Sequence, residues 1–234
     1  MQKQNEKQGA DDAAINESIN EFIQRNRKPI FIISGSLLAI LIAVIAVLSL
    51  MEVFRNKAIA IVEEYNDLYA TMLPTINEEY FSDEVNSFLE EVTEFAKKHS
   101  GYSGGRAWLI IGGLHSAKKE WPEAETAYAS AAKAAGKTYL APLAWFNAGA
   151  VAEEQGKTAE AIEYYGNSLT TNAVFSAASR AQFSVGRLHE TLNEDEKAIE
   201  AYRAVISGWP HDQIWTSLAR SRIIALESAK TDSE

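Results

Sequence analysis

Residues 108–131 read WLIIGGLHSAKKEWPEAETAYASA, and the same pattern returns at residues 145–168 and again at residues 182–205. Glycines at positions 112, 149 and 186 mark a constant interval of 37 residues. In each copy an alanine follows the glycine by 12 residues and a tyrosine follows it by 16. A fixed internal period of this length predicts a solenoid of repeated helix pairs. No segment alternates apolar and polar residues with period two, so no sheet is expected.

This pattern resembles the tetratricopeptide repeat (TPR), in which two packed helices carry a tryptophan, a glycine, an alanine, an aromatic residue and a late proline. The resemblance covers residues 104–210. We expect the glycines to lie where two helices approach too closely for a side chain, with the alanines facing them. The tyrosines should pack against the following repeat. The residues assigned to this repeat core are Trp108, Gly112, Ala124, Tyr128, Trp145, Gly149, Ala161, Tyr165, Gly186, Ala198, Tyr202 and Pro210.

The composition excludes several classes of site. The formal net charge is −10, which argues against a nucleic-acid-binding platform because such a surface must be basic. The chain contains no cysteine, so it has no disulfide, no cysteine-based zinc site and no thiol nucleophile. The sequence therefore suits either an oxidising or a reducing compartment.

Ile30–Met51 form an uncharged run of 22 residues, IFIISGSLLAILIAVIAVLSLM. As a helix this run would extend roughly 33 Å, enough to cross a hydrocarbon core of about 30 Å. The alternative is a cleaved signal peptide, which has a shorter apolar core of about 7–15 residues. Val47 and Ser49 imitate a weak cleavage site, so cleavage remains the second interpretation. The first interpretation places one span in a lipid bilayer.

The basic residues that flank the span predict its orientation. Arg25, Arg27 and Lys28 precede the span, whereas Arg55 and Lys57 follow it. The excess before the span weakly favours a cytoplasmic N-terminus. Within the span, a notch of small residues is the candidate surface for packing against another membrane helix. The notch consists of Ser34, Gly35 and Ser36.

We expect five parts along the chain. Residues 1–28 are a cytoplasmic polar tail with a short amphipathic stretch, which either lies on the membrane surface or extends the anchor helix. Residues 29–51 are the transmembrane helix, and residues 52–103 are membrane-proximal helices with a partial repeat. Residues 104–210 hold three TPR-like repeats. Residues 211–234 are a capping helix and tail that would cover the end of the solenoid.

One motif formally indicates catalysis. GYSGG at residues 101–105 matches the G-x-S-x-G elbow of serine hydrolases, with Ser103 as the nucleophile. Such an elbow needs a strand before it, yet the preceding residues FLEEVTEFAKKH have a helical pattern. We therefore interpret the motif as a connection between helices and expect a non-enzyme. The histidines lack the spacing of a metal site, and we expect no cofactor.

In a TPR solenoid the first helices of the repeats line a concave face. By register, this face should hold an apolar strip edged by arginines and one amide, which suits an extended peptide. The predicted partner groove consists of Arg106, Leu109, Leu143, Phe146, Asn147, Arg180, Phe183 and Arg187. The alternative is that the terminal helix, or the segment near Pro74, fills this groove.

A narrower resemblance involves most of the chain. The order of a polar tail, one span, a helix and then FAKKHSGYSGGRAWL leading into repeats is similar to the ancillary SecYEG translocon subunit family. That resemblance implies a single-pass bacterial inner-membrane protein with a periplasmic TPR domain. Its implied partners are translocon subunits, a periplasmic chaperone or nascent chains. The alternatives are an adaptor for envelope or cell-wall assembly and a cytosol-facing TPR receptor.

Overall fold

The computed structural model describes residues 2–76, 82–170 and 175–231. Within these ranges every regular element is helical and there is no strand, which confirms the all-α prediction. A 3₁₀ turn at Leu73–Thr75 follows the first helix. The helices are α1 Gln2–Met72, α2 Ser82–Lys98, α3 Gly101–Ala117, α4 Trp121–Ala135, α5 Leu140–Glu154, α6 Thr158–Thr170, α7 Ala178–Thr191, α8 Asp195–Gly208 and α9 Gln213–Thr231.

The chain divides into two compact units, Met1–Asn56 and Lys57–Glu234. The described part of unit one belongs to α1, and the predicted amphipathic stretch is continuous with the apolar run in that helix. Within Glu17–Met72, a window of 18 residues has a mean hydropathy of 2.9, and none of this window is buried. By length and composition the helix can cross a membrane. At Gly35, in the predicted packing notch, an added Cβ would meet nothing within 4 Å.

Unit two begins with a helix pair ahead of the three sequence repeats. Residues 57–72 of α1 pack on α2 through a cluster that includes Val62, Tyr65, Phe88 and Val92. The Tyr65 ring meets Phe88 edge-on with the ring centroids 5.9 Å apart. Helix α1 ends at Met72, two residues before Pro74, because a proline disfavours α-helical geometry in the residue that precedes it. The segment expected to hold a partial repeat therefore forms a packed helix pair.

The three sequence repeats correspond to the helix pairs α3 and α4, α5 and α6, and α7 and α8. One residue with a positive φ lies in the turn inside each pair, at Lys119 (59°), Gly156 (70°) and Asn193 (56°). These positions are again 37 residues apart. Glycine and asparagine tolerate this backbone conformation, whereas lysine adopts it less readily. The common turn geometry gives the three pairs the same local structure.

The repeat glycines face tyrosines, which corrects the predicted packing. A Cβ added at Gly112 would lie 2.6 Å from the ring of Tyr128 in the same repeat. The corresponding distances are 2.9 Å from Gly149 to Tyr165 and 2.7 Å from Gly186 to Tyr202. The tyrosines therefore pack back onto the first helix of their own repeat. Tyr128 and Tyr165 also share core clusters with residues of the following repeat, such as Leu140 and Ala181. A planar ring fits across a glycine, so it fills the space that the prediction assigned to alanine.

The alanines of the repeat core are fully buried, at Ala124, Ala161 and Ala198. The tryptophans Trp108 and Trp145 are only partly buried and lie at the edge of a core cluster. Pro210 is exposed in the turn between α8 and α9, so its assignment to the repeat core was wrong. A proline after a helix prevents the helix from continuing, and it needs no burial to do so.

The GYSGG motif is the first turn of α3, so it does not form the strand-to-helix elbow that the hydrolase hypothesis for Ser103 requires. Ser103 is buried within this helix, and no strand precedes it in the described part of the chain. The glycines allow close packing instead. A Cβ at Gly105 would lie 2.6 Å from the Cβ of Ala135 at the end of α4. The motif therefore serves the contact between two helices.

Candidate partner-binding face

The first helices of successive pairs adjoin one another along one side of unit two. Tyr102 of α3 donates a hydrogen bond to Glu63 of α1 over 2.5 Å. Arg180 of α7 lies 5.2 Å from the ring centre of Phe146 on α5. We call the side formed by residues 57–72, α3, α5, α7 and α9 the inner face. It corresponds to the face on which the sequence predicted a partner groove.

Two apolar residues assigned to the groove are core residues instead. Leu109 is 9% exposed and Phe146 is 8% exposed. The Phe146 ring contacts Tyr165 at 5.2 Å and Phe175 at 5.8 Å between centroids. Phe175 lies in the connection between α6 and α7, and it covers Phe146 from the side. The prediction that these two side chains line an open groove was therefore wrong. Leu109 belongs to a core cluster with residues of α4 and α5, and Phe175 of the connecting segment packs on Phe146.

The second aromatic residue of the predicted groove packs against the terminal helix. Phe183 is partly buried, with its ring centroid 5.2 Å from Trp215 of α9 and 5.0 Å from Tyr202 of α8. Helix α9 thus lies beside α7 as the next first helix of the series. It extends the inner face and covers Phe183 without reaching Phe146.

Arg180 is the predicted groove residue that is most available to a partner. It is exposed on α7, with its guanidinium over the Phe146 ring at 5.2 Å. It forms no ion pair or hydrogen bond with another described residue. The flat contact with a ring restrains the guanidinium while its N–H groups remain free to donate. Such a group can bind a carboxylate or a backbone carbonyl of an incoming chain.

Arg187, by contrast, already has a partner within the repeats. Its guanidinium donates to Glu153, and the second oxygen of Glu153 accepts a 2.6 Å hydrogen bond from Tyr165. Burial and the hydrogen bond to Glu153 raise the pKa of Tyr165 above its ordinary value, so this tyrosine stays neutral. The three side chains connect α5, α6 and α7. Arg187 therefore ties neighbouring repeats together.

The same arrangement recurs one repeat later. Glu190 accepts hydrogen bonds from Tyr202 and from Arg222 of α9. Burial alone would raise the pKa of Glu190, but the bonds from Arg222 and Tyr202 outweigh it and hold the pKa below its ordinary value. The Glu190 side chain is 14% exposed and that of Arg222 is 48% exposed, so the carboxylate is largely shielded from water whereas the guanidinium is not. A glutamate, a tyrosine and an arginine thus join the second repeat to the third, and the third repeat to α9.

Sequence reasoning missed these carboxylates, although a signal was present. Glu153 and Glu190 are separated by the same 37 residues as the repeat glycines. The first repeat has Ser116 at the corresponding position, which interrupts the pattern. Both glutamates also resemble ordinary solvent-exposed helix residues when only the sequence is read. Their recurrence indicates a structural role, but their partners come from helices that are distant in sequence.

The remaining predicted groove residues are only partly accessible. Arg106, Leu143 and Asn147 have intermediate burial. The Nε atom of Arg106 is buried and has no hydrogen-bond partner in the described part of the chain. The structure therefore brings Phe146 and Arg180 together. Arg106 and Leu109 lie apart from this pair in the first repeat, and Arg187 is paired with Glu153.

Comparisons with known proteins agree with this architecture. TPR family models match residues 117–173 and residues 179–207. A TPR repeat-containing protein from Treponema pallidum is 35% identical over 126 residues, which cover 54% of this chain and 52% of that protein. The chain thus spans about half the length of this relative. The name of that protein states the repeat and no partner.

Solved structures also resemble the fold. A crystal structure of nearly identical TPR-like repeats from a Podosopora anserina putative kinesin light chain has a TM-score of 0.51 at 9% identity and covers 73% of this chain and 87% of its own. A variant of that protein has a TM-score of 0.52 at the same identity and coverage. At this identity the likeness concerns the fold alone. From the matched repeats and the packed helix pairs, we conclude that this chain carries tetratricopeptide repeats.

Proposed function

We propose that this protein is a membrane-anchored scaffold that binds extended segments of partner proteins on its inner face. In this proposal the apolar part of α1 spans the bacterial inner membrane, and the repeats lie in the periplasm. The partners are translocon subunits, a periplasmic chaperone or emerging chains. An adaptor for envelope or cell-wall assembly is the alternative with the same anchor. A cytosol-facing receptor is the alternative with the opposite orientation.

The observation that carries the proposal is the state of Arg180. It is exposed and restrained by Phe146, and it lacks an ion pair with another described residue, whereas Arg187 and Arg222 are paired with glutamates. A restrained guanidinium loses little freedom when it binds, which favours recognition of a carboxylate or carbonyl oxygen. An arginine whose role was only to join repeats would be expected to have a carboxylate partner.

The apolar run of α1 supports the membrane part of the proposal. A span of this length would hold the repeats within a short distance of other proteins in the same membrane. Such tethering raises the effective concentration of neighbouring proteins, so a weak groove can still be occupied. The small residues Ser34, Gly35 and Ser36 would allow close approach of a second membrane helix.

The partner site is tested by photocrosslinking in intact membranes. We expect p-benzoyl-phenylalanine at Arg180 to give specific adducts, since this side chain would contact the bound segment. The control position is Lys133, an exposed cationic residue on α4, which is not one of the helices of the inner face. Adducts identified by mass spectrometry as translocon or chaperone proteins would support the proposal. Equal adduct yields at both positions would reject the inner face as the binding site. Adducts identified as cell-wall proteins would favour the envelope adaptor.

The orientation is tested by single cysteines, because the chain has none of its own. We expect Ser228→Cys to react with an impermeant maleimide from outside the inner membrane, since residue 228 is exposed in unit two. Ser18→Cys should react only after permeabilisation. The opposite pattern would contradict the periplasmic assignment and favour the cytosol-facing receptor. A mature chain that lacks residue 18 would show that the apolar run is cleaved as a signal.

A further inference from the structure

A cavity opens on unit two between α2, α3 and α4, away from the groups described on the inner face. Its volume is about 360 Å³, and Trp108 and Ile111 form its apolar wall. We call this cavity the Trp108 pocket. The rest of the wall includes Thr93, His115, Glu123, Thr126 and Ala127.

The third repeat has a pocket at the same place in the repeat. Its volume is about 280 Å³, and its wall includes Gln182, His189 and Ala201. These residues lie two repeat intervals after Trp108, His115 and Ala127. The third-repeat pocket lacks a large aromatic wall, because Gln182 stands where the first repeat has tryptophan. The two cavities thus share their geometry and differ in their chemistry.

In the second repeat the chain itself fills the corresponding space. Tyr164 occupies the register of Ala127 and Ala201, and its ring stacks on Trp145 with centroids 5.6 Å apart and planes inclined by 17°. The Tyr164 hydroxyl donates a 3.0 Å hydrogen bond to Glu125 of α4. The second repeat therefore shows which group fits against a tryptophan at this position. It is an aromatic ring that lies nearly parallel to the indole.

We propose that the Trp108 pocket is a docking site for an aromatic side chain of a partner protein, stacked on Trp108 as Tyr164 stacks on Trp145. The first repeat has Ala127 where the second has its tyrosine, so the pocket receives no ring from its own repeat. Stacked aromatic pairs are favourable beyond their burial of apolar area.

The polar part of the lining favours tyrosine over phenylalanine as the docked residue. Thr93, Glu123 and Thr126 line the pocket, and a side-chain oxygen of each residue can accept a hydrogen bond from a phenol. His115 is held by a 2.6 Å contact between its Nδ1 atom and Glu120, which fixes the imidazole at the pocket edge. Tyrosine combines an apolar ring with one hydroxyl, and this matches a cavity with an indole wall and a polar rim. The site is separate from Arg180 and would give the scaffold a second point of contact.

The test is a titration of the full chain labelled with 5-fluorotryptophan and followed by ¹⁹F NMR. The chain has five tryptophans, and Trp108→Gln and Trp145→Phe assign the two relevant signals. The probes are N-acetyl-tyrosine methylamide and, as an aliphatic control, N-acetyl-leucine methylamide. We expect the tyrosine probe to shift the Trp108 signal and to bind roughly twofold to tenfold more tightly than the leucine probe. The Trp145 signal should stay unchanged because Tyr164 covers that ring.

Two variants make the test specific. Tyr164→Ala uncovers Trp145, so its signal should begin to respond to the tyrosine probe. Ala127→Tyr copies the second repeat, so it should fill the Trp108 pocket and abolish the response of Trp108. No response of Trp108, or an equal response to both probes, would overturn the proposal even if Ala127→Tyr fails to fold. If the Trp108 signal shifts with protein concentration when no probe is present, the pocket binds a second copy of this chain and not a different partner protein.

The proposal for the inner face and the proposal for the Trp108 pocket are tested independently of each other. The probe titration does not involve Arg180, and crosslinking from Arg180 does not involve Trp108. Loss of the Arg180 adducts together with a normal Trp108 response would reject the groove alone. A missing Trp108 response together with normal Arg180 adducts would reject the pocket alone.

Discussion

Phe146→Ala is expected to lower the free energy of unfolding by about 3–5 kcal/mol, as the removal of a buried phenylalanine commonly does. The ring is 8% exposed and touches Tyr165, Phe175 and the Arg180 guanidinium. Removing it leaves a cavity between α5, α6 and the segment that leads into α7. The measurement is urea unfolding of the full chain followed by tryptophan fluorescence.

The matched control for this prediction is Ile214→Ala. Ile214 is 69% exposed on α9, so its truncation removes little buried surface and should change the unfolding free energy by less than about 0.5 kcal/mol. If Phe146→Ala were as mild as this control, Phe146 would be a groove residue, as the sequence alone suggested. Partner binding measured on such a stable variant would then report on the site itself.

Gly112→Ala is expected to cost about 1–3 kcal/mol through overpacking. The added Cβ would lie 2.6 Å from the Tyr128 ring, and Tyr128 is only 8% exposed. The nearest atoms belong to the body of the ring, which cannot move aside without shifting α4 against α3. Thermal unfolding and urea unfolding of the same variant should both show the loss.

Gly166→Ala provides the control with the same chemical change. Gly166 lies inside α6, and an added Cβ there would meet nothing within 4 Å. Alanine favours helix over glycine by about 1 kcal/mol, so this variant should be neutral or more stable than the wild type. Equal effects at both glycines would mean that helix propensity, and not the contact with the tyrosine ring, governs Gly112.

The pairing of glutamate, tyrosine and arginine explains why the inner face is less basic than its sequence suggests. Arg187 and Arg222 neutralise Glu153 and Glu190, so their guanidinium groups are already engaged. A partner would have to displace these bonds to use either arginine, which would leave a partly buried carboxylate unpaired. A partner that binds Arg180 would displace no such bond and would leave no carboxylate unpaired.

The repeat period and the helical class were readable in the primary sequence. Gly112, Gly149 and Gly186 repeat with their tyrosines because each helix pair needs the same close contact. The end of α1 at Met72 follows from Pro74, whose backbone disfavours a continuing helix. Full burial of Ala124, Ala161 and Ala198 agrees with their place in the period. The helix end depends on local backbone geometry, and the glycine and alanine positions depend on the repeat period.

Contacts between distant segments decided the rest. Register placed Phe146 on the inner face, but its burial depends on Phe175, which belongs to a connection outside the repeat pattern. The ring that crosses each glycine could not be chosen from spacing, since alanine and tyrosine both lie on the facing helix. The sequence alone does not distinguish the roles of Arg180 and Arg187. Only the position of Glu153 shows that Arg187 joins two repeats, whereas the Arg180 guanidinium stays available to a partner. Periodicity specifies which residues share a helix face, whereas side-chain volume and charge from neighbouring helices determine which of them remain accessible.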